Sequence, residues 1–302
     1  MLKWAFLLIV GGAALWGTIG IFVQGLYDLG FTPIEVVAIR VIVALLVMTV
    51  IVLVKSPRLM HVRVKHLPLF LGTGICSIVF FNWAYFTTIQ EINLSVAAVL
   101  LYTGPAFVTI LSRIFFKEWI TIQKVVALGM TLIGCTLVIG LFPLHAEQLS
   151  FYGIIVGVGS GFGYALYSIF GKTASTHYSS MTITFYTFLF ASLALLPTTN
   201  ISLVIDRLNG IEGLLLALGL GTIPTVFAYL LYTAGLNQVE SSKASIAATV
   251  EPVVATMIGV FIFQDQLTLW QGIGMLCVLL AVFIIQQRRP MKKGKLRDSI
   301  AS

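Results

Sequence analysis

Apolar residues in this chain come in long continuous blocks, broken by short stretches rich in charge, Gly, Pro or Asn. The blocks lie near residues 4–24, 33–54, 67–89, 94–116, 121–141, 151–171, 180–197, 211–235, 243–263 and 268–287. A helix of about 20 residues crosses a hydrocarbon layer about 30 Å thick. Barrel strands are only about 10 residues long, so these blocks read as helices. In lipid only helices and closed barrels satisfy their own backbone groups. The pattern therefore predicts an all-α membrane protein of ten transmembrane helices. The first block runs on without a convincing small-residue cleavage site and reads as a retained helix.

Composition agrees. Of 302 residues 59% are hydrophobic and 10% charged, against about 25% charged in a soluble domain. Such a surface requires a lipid bilayer as partner. The net charge of +7 raises nucleic acid as a second partner, but its distribution argues against that. With a cytoplasmic N-terminus, Lys3, Lys55, Arg58, Arg63, Lys65, Arg113, Lys117, Lys124, Lys172, Lys243 and the tail Arg288, Arg289, Lys292, Lys293, Lys295 and Arg297 all fall inside. Arg207 alone falls outside, and Arg40 lies within a span. The external connections carry Asp28, Glu91, Glu147, Asp206 and Asp265. This asymmetry puts both termini in the cytoplasm.

A shift of 147 positions lays the second half of the chain on the first. Gly72, Gly74, Phe80 and Tyr85 meet Gly219, Gly221, Phe227 and Tyr232. Ser95, Pro105, Thr109, Phe116, Glu118 and Thr121 meet Ser242, Pro252, Thr256, Phe263, Asp265 and Thr268. The division is a first five-helix repeat (1–145), a second (146–287) and a basic tail (288–302). Five is odd, so the second repeat is inverted in the membrane. Inverted repeats permit two related conformations, each open to one side.

Within this frame the chain resembles the drug/metabolite transporter superfamily, EamA type. The resemblance rests on Trp16–Gly17, Arg40, Tyr102–Thr103–Gly104–Pro105 through Lys117–Glu118, and the counterpart Glu251–Pro252 through Asp265 and Leu267–Thr268. Gln264–Asp265 departs from the family's usual Gly-Glu. The resemblance implies a secondary transporter in the cell membrane, often an exporter of amino acids or other small metabolites. It also implies a central cavity lined by spans one to four and six to nine, with spans five and ten peripheral. Facilitated uptake is an alternative within transport. A lipid-modifying membrane enzyme is the alternative from another class, and it would need clustered catalytic groups near one interface.

Glu251 lies eight residues past Lys243, about 12 Å along a helix and toward mid-membrane. A carboxylate there is costly unless protonated, paired or facing a wet cavity. It is a candidate for proton coupling or for a substrate ammonium, or it braces the break at Pro252. Arg40 could hold a substrate carboxylate, pair with Glu251, or snorkel outward. Pro105, Pro224 and Pro252 each remove a backbone donor inside a span, as static kinks or as moving parts. Trp16, Asn82, Trp83, Tyr85, Tyr102, Tyr164, Tyr167, Tyr229 and Tyr232 could line a cavity for an amphipathic solute. The same residue types also serve as interface anchors and packing. Gly153, Gly157, Gly159, Gly161 and Gly163 read as a close-packing stripe, and Thr121 and Thr268 as helix caps. Cys76, Cys135 and Cys277 sit in apolar runs without metal-ligand spacing. His61, His66, His145 and His177 lie outside the spans. No phosphate-cradling loop is present, so no cofactor and no metal are expected. A monomer is compatible with the pattern, which leaves oligomeric state open.

Overall fold

The computed structural model describes residues 2–140, 150–208 and 210–287. The expected join between halves, with His145 and Glu147, and the basic tail 288–302 lie outside the described residues. Among the described residues every regular element is helical. The long ones are α1 (Lys3–Asp28), α2 (Pro33–Lys55), α3 (Val64–Glu91), α4 (Leu94–Phe115), α5 (Ile122–Val138), α6 (Phe151–Ala174), α7 (Ser180–Thr198), α8 (Ile211–Leu236), α9 (Ser241–Ile262) and α10 (Leu269–Gln286). Nine of these are long and apolar enough to cross a membrane, and α5 is a shorter apolar helix of 17 residues. The protein is a multi-pass helical membrane protein.

Helix starts follow local chemistry. Thr32 opens α2 with a capping box: Glu35 Oε2 accepts from the Thr32 N–H at 2.7 Å. Thr268 does the same with Gln271 at the head of α10, and Thr121 caps α5. These side chains satisfy backbone donors that a helix N-terminus leaves open.

Several of these helices are not straight, and their distortions recur 147 positions apart. α4 breaks at Tyr102 and α9 at Thr249. Pro105 and Pro252 sit in the first turn after each break, so they start a second segment rather than bend a continuous helix. α3 widens to π-helix over Gly72–Val79, and α8 over Thr222–Phe227. Pro224 lies in the second stretch, but Ser77 holds its place in the first. Proline alone therefore does not cause the widening. What the two stretches share is a glycine pressed on a neighbour. A Cβ on Gly74 would lie 2.7 Å from the Thr187 carbonyl and 2.9 Å from Phe190 Cβ, and one on Gly221 would meet Val43 and Ala44. Among the described residues the positive-φ residues other than glycine are Lys117 (55°) and Gln264 (60°), also 147 apart.

Packing repeats in the same way. α1 packs on the C-terminal half of α8 and on α9, as α6 packs on α3 and α4; α2 packs on α7 and α8; α5 lies along α10. Between helices in lipid, close approach of small residues replaces the hydrophobic drive. The expected glycine stripe on α6 does this. A Cβ at Gly161 would lie 2.9 Å from the Leu100 carbonyl, so only glycine lets α6 reach the break in α4.

Candidate functional site

Trp16 on α1 is 6% exposed and stands against two tyrosines of α8, with ring centroids 5.1 Å from both Tyr229 and Tyr232. Tyr167 on α6 closes the group, 5.0 Å and edge-on to Tyr229. The hydroxyls are tied in pairs across helices. Tyr167 Oη and Thr233 Oγ1 are 2.7 Å apart, as are Tyr232 Oη and Ser168 Oγ. Trp16, Ser77, Phe81, Tyr164, Tyr167, Ser168, Tyr229 and Tyr232 enclose a small cavity of about 10 Å³, room for about one water. Two buried polar atoms on that wall, Trp16 Nε1 and Ser77 Oγ, have no hydrogen-bond partner. Buried donors are nearly always satisfied, so this pair marks a place where a guest or a water belongs.

Glu251 begins the second segment of α9 and is half-buried. It interacts electrostatically with Arg40 and with Tyr85, Tyr102, Tyr164 and Tyr229. Arg40 turns inward rather than snorkelling: its Nε donates to Thr225 Oγ1 at 3.1 Å, and it also reaches Tyr229. Thr225 Oγ1 in turn donates to the Leu220 carbonyl, a bond that the π-helical turn of α8 permits. Tyr229 belongs to the aromatic pocket and also bonds Arg40, so the pocket and the charged residues adjoin. The break at Thr249 delivers Glu251 there. Gly17 lets α1 approach it, since a Cβ at that position would lie 2.8 Å from the Glu251 carbonyl.

Two expected lining residues are elsewhere. Trp83 is 53% exposed and pairs with Phe80 on the outer surface of the bundle. Two residues along a helix turn about 200°, so with Tyr85 facing Glu251, Trp83 must face away. Asn82 is buried, but its amide donates to the Ile78 carbonyl of its own helix at 2.7 Å. Ser77, Phe81, Ser168 and Thr225 were not picked out from sequence. Small hydroxyls within apolar helices give no signal before their partners are known. Cys135 on α5 is buried in a cluster with Val253 of α9 and Tyr102, so α5 is less peripheral than the resemblance implied.

A second ionic cluster ties the α4–α5 connection to the head of α9. Glu118, on the α4–α5 connection, accepts from the backbone N–H of Ser241 at 2.7 Å and of Ser242 at 3.3 Å, and from the Ser242 hydroxyl. It thus caps α9 at its positive end. Lys124, 2% exposed, bridges Glu118 at 3.3 Å and Glu240 at 3.2 Å, and Lys243 adds a bond to Glu240 at 3.0 Å. Sequence reading placed Lys124 and Lys243 among basic residues near a membrane surface; here Lys124 holds α5 to the head of α9, and Lys243 pairs within that head. Here also the second segment of α4 packs on the first segment of α9. Asp265, which matches Glu118, is exposed.

A multi-pass helical bundle that gathers an acid, a guanidinium and tyrosines around broken helices has the architecture of a membrane transporter. The comparisons with known proteins agree. Residues 3–140 and 151–287 each match the EamA-like transporter family, and the chain belongs to that family. An uncharacterized transporter of Archaeoglobus fulgidus is 36% identical over 67% of this chain and 70% of its own length. A second from the same organism is 29% identical over 96% of this chain and 100% of its own. The uncharacterized transporter YwfM of Bacillus subtilis is 25% identical over 92% of each chain. A solved crystal structure shares the fold with a TM-score of 0.75 at 15% identity, covering 93% of this chain and 95% of that one. Family and relatives indicate a transporter rather than an enzyme.

Proposed function

We propose that this protein is a secondary transporter that exports a small amphipathic metabolite, an amino acid or close relative, across the cell membrane by alternating access. Ten spans form two inverted five-helix repeats (1–145 and 146–287), and both termini are cytoplasmic. The observation that carries the reading is that Glu251 and Arg40, each set within an apolar span, lie within electrostatic reach of each other beside the tyrosine cluster. A zwitterion brings an ammonium and a carboxylate, and these two side chains offer one partner for each. The aromatic faces of Trp16, Tyr164 and Tyr229 suit an apolar side chain. Proton coupling runs through Glu251, whose carboxyl exchanges a proton for the substrate's charge.

Alternating access follows from the two ends. The Glu118 cluster ties helices together at one end, while its counterpart Asp265 is exposed. Recurrence of the breaks, π-turns and positive-φ residues at the 147-residue interval supports two halves that exchange roles. The test is amino-acid flux in proteoliposomes with an imposed pH gradient. Glu251→Gln is expected to abolish gradient-driven accumulation. Transport that persists with its pH dependence unchanged would remove the coupling role.

A further inference from the structure

Away from the aromatic site, a second cavity of about 410 Å³ opens between the α2–α3 connection and the end of α6. Its walls are His61, Val62, Arg63, His66, His177 and Tyr178. Three histidines and an arginine line it, and among the described residues no acidic residue does. The segment that supplies most of them, residues 56–66 across the α2–α3 connection and the start of α3, contains no Asp or Glu.

This is an organised group rather than loose surface charge. Tyr178 Oη accepts from the Arg63 backbone N–H at 3.0 Å and lies 2.8 Å from His66 Nδ1. The one phenol oxygen thus ties the Arg63 backbone to the Nδ1 edge of the His66 ring and fixes the orientation of that imidazole. His177 stacks on His66 with centroids 4.5 Å apart and planes 8° from parallel. Tyr178 rests on Phe70 at 5.3 Å, and Phe70 is fully buried. Basic residues near a membrane surface ordinarily lie apart in water or among headgroups. Here the fold stacks two imidazoles and adds Arg63 and Lys65 within electrostatic reach of His66. Such an arrangement is self-repelling once protonated, and an anion relieves the repulsion.

We propose that this cavity binds a phosphate group, carried either by free phosphate or by a phospholipid headgroup, at a site separate from the transport path. The volume falls in the range of small-molecule sites. A phosphate oxygen set can accept from a guanidinium and several imidazoles at once. Protonation of imidazoles adds positive charge to the cavity, so the site strengthens as pH falls. The groups facing His66 are His61, Arg63, Lys65, His177 and Tyr178.

The test uses the full-length protein in phosphatidylcholine nanodiscs, titrated with inorganic phosphate at pH 6 and pH 8 while the imidazole resonances are followed. In parallel, native mass spectrometry counts phosphatidylglycerol retained by the detergent-purified protein. One or both ligands are expected to bind, about tenfold more weakly at pH 8 and in Arg63→Gln and His177→Gln. Saturation by phosphate alone assigns the free anion; variant-sensitive lipid retention alone assigns the headgroup; both together assign the shared chemistry. Tyr178→Phe keeps the ring on Phe70 but loses the link between Arg63 and His66, so weaker binding there separates a built site from diffuse charge. If neither ligand binds, or all variants bind equally, the proposal is overturned.

Discussion

Two tryptophans show how much a side chain's direction matters in this protein. Trp16 is enclosed by Tyr229 and Tyr232, whereas Trp83 is on the outer surface. Each aromatic contact is worth about 0.5–1.5 kcal/mol beyond area burial. Losing two in Trp16→Ala removes about 1–3 kcal/mol of packing from the pocket wall, so substrate binding should weaken, while Trp83→Ala should leave it within about twofold. Binding measured by calorimetry on both variants checks the contrast, and equal losses would remove Trp16 from the site. Gly17 belongs to the same scale. Its missing side chain lets α1 meet the backbone of Glu251, a close approach expected of Gly in a membrane helix interface.

Between elements, the decisive contact is Glu118 against the start of α9. Removing one partner of a buried ion pair typically costs about 3–5 kcal/mol, and Glu118 and Lys124 are both buried. Glu118→Ala is therefore expected to lower thermal stability and to raise amide exchange at Ser241 and Ser242. Unchanged protection there would mean that the carboxylate does not hold α9. Glu240 belongs to the same cluster. Burial pushes its carboxyl up, but the hydrogen bond and charge of Lys243, with Lys124, outweigh burial and hold it below the ordinary value. A depressed carboxyl contributes stability above its unfolded pKa, near about 4.3, and that contribution is lost as pH falls through the lower folded value. Glu240 thus stays ionised between pH 5 and 8, and Glu240→Gln should leave the pH midpoint of transport where it is.

At the scale of the whole molecule, the proposed inverted halves make a specific demand. If the end held by Glu118 opens, the end marked by Asp265 closes, since matching positions exchange environments. Lys117 and Gln238 flank the first end; Glu91 and Gln264, 147 positions away from Gln238 and Lys117, flank the other, and all four are exposed. Spin labels at 117 and 238 should separate on addition of substrate while labels at 91 and 264 approach. Movement of one pair without the other would break the symmetry argument.

Helical stretches, caps and the repeat interval were legible in the sequence, because lipid imposes them locally. A chain in hydrocarbon must satisfy its own backbone, so apolar length alone reports a helix, and Thr121, Thr268 and Gln271 report where it starts. Glu251 and Arg40 stood out for a related reason, since charge inside an apolar run is costly wherever it points. Only the tertiary structure decided which faces look inward. Lipid tails are as apolar as a protein core, so hydropathy cannot distinguish Trp16 from Trp83 or find Ser77 beside the aromatic pocket. The same holds for Lys124, whose sequence context reads as surface charge until packing buries it between Glu118 and Glu240. Contacts between residues more than a hundred positions apart, such as Arg40 with Thr225 and Glu118 with Ser241, exist only once the helices have packed.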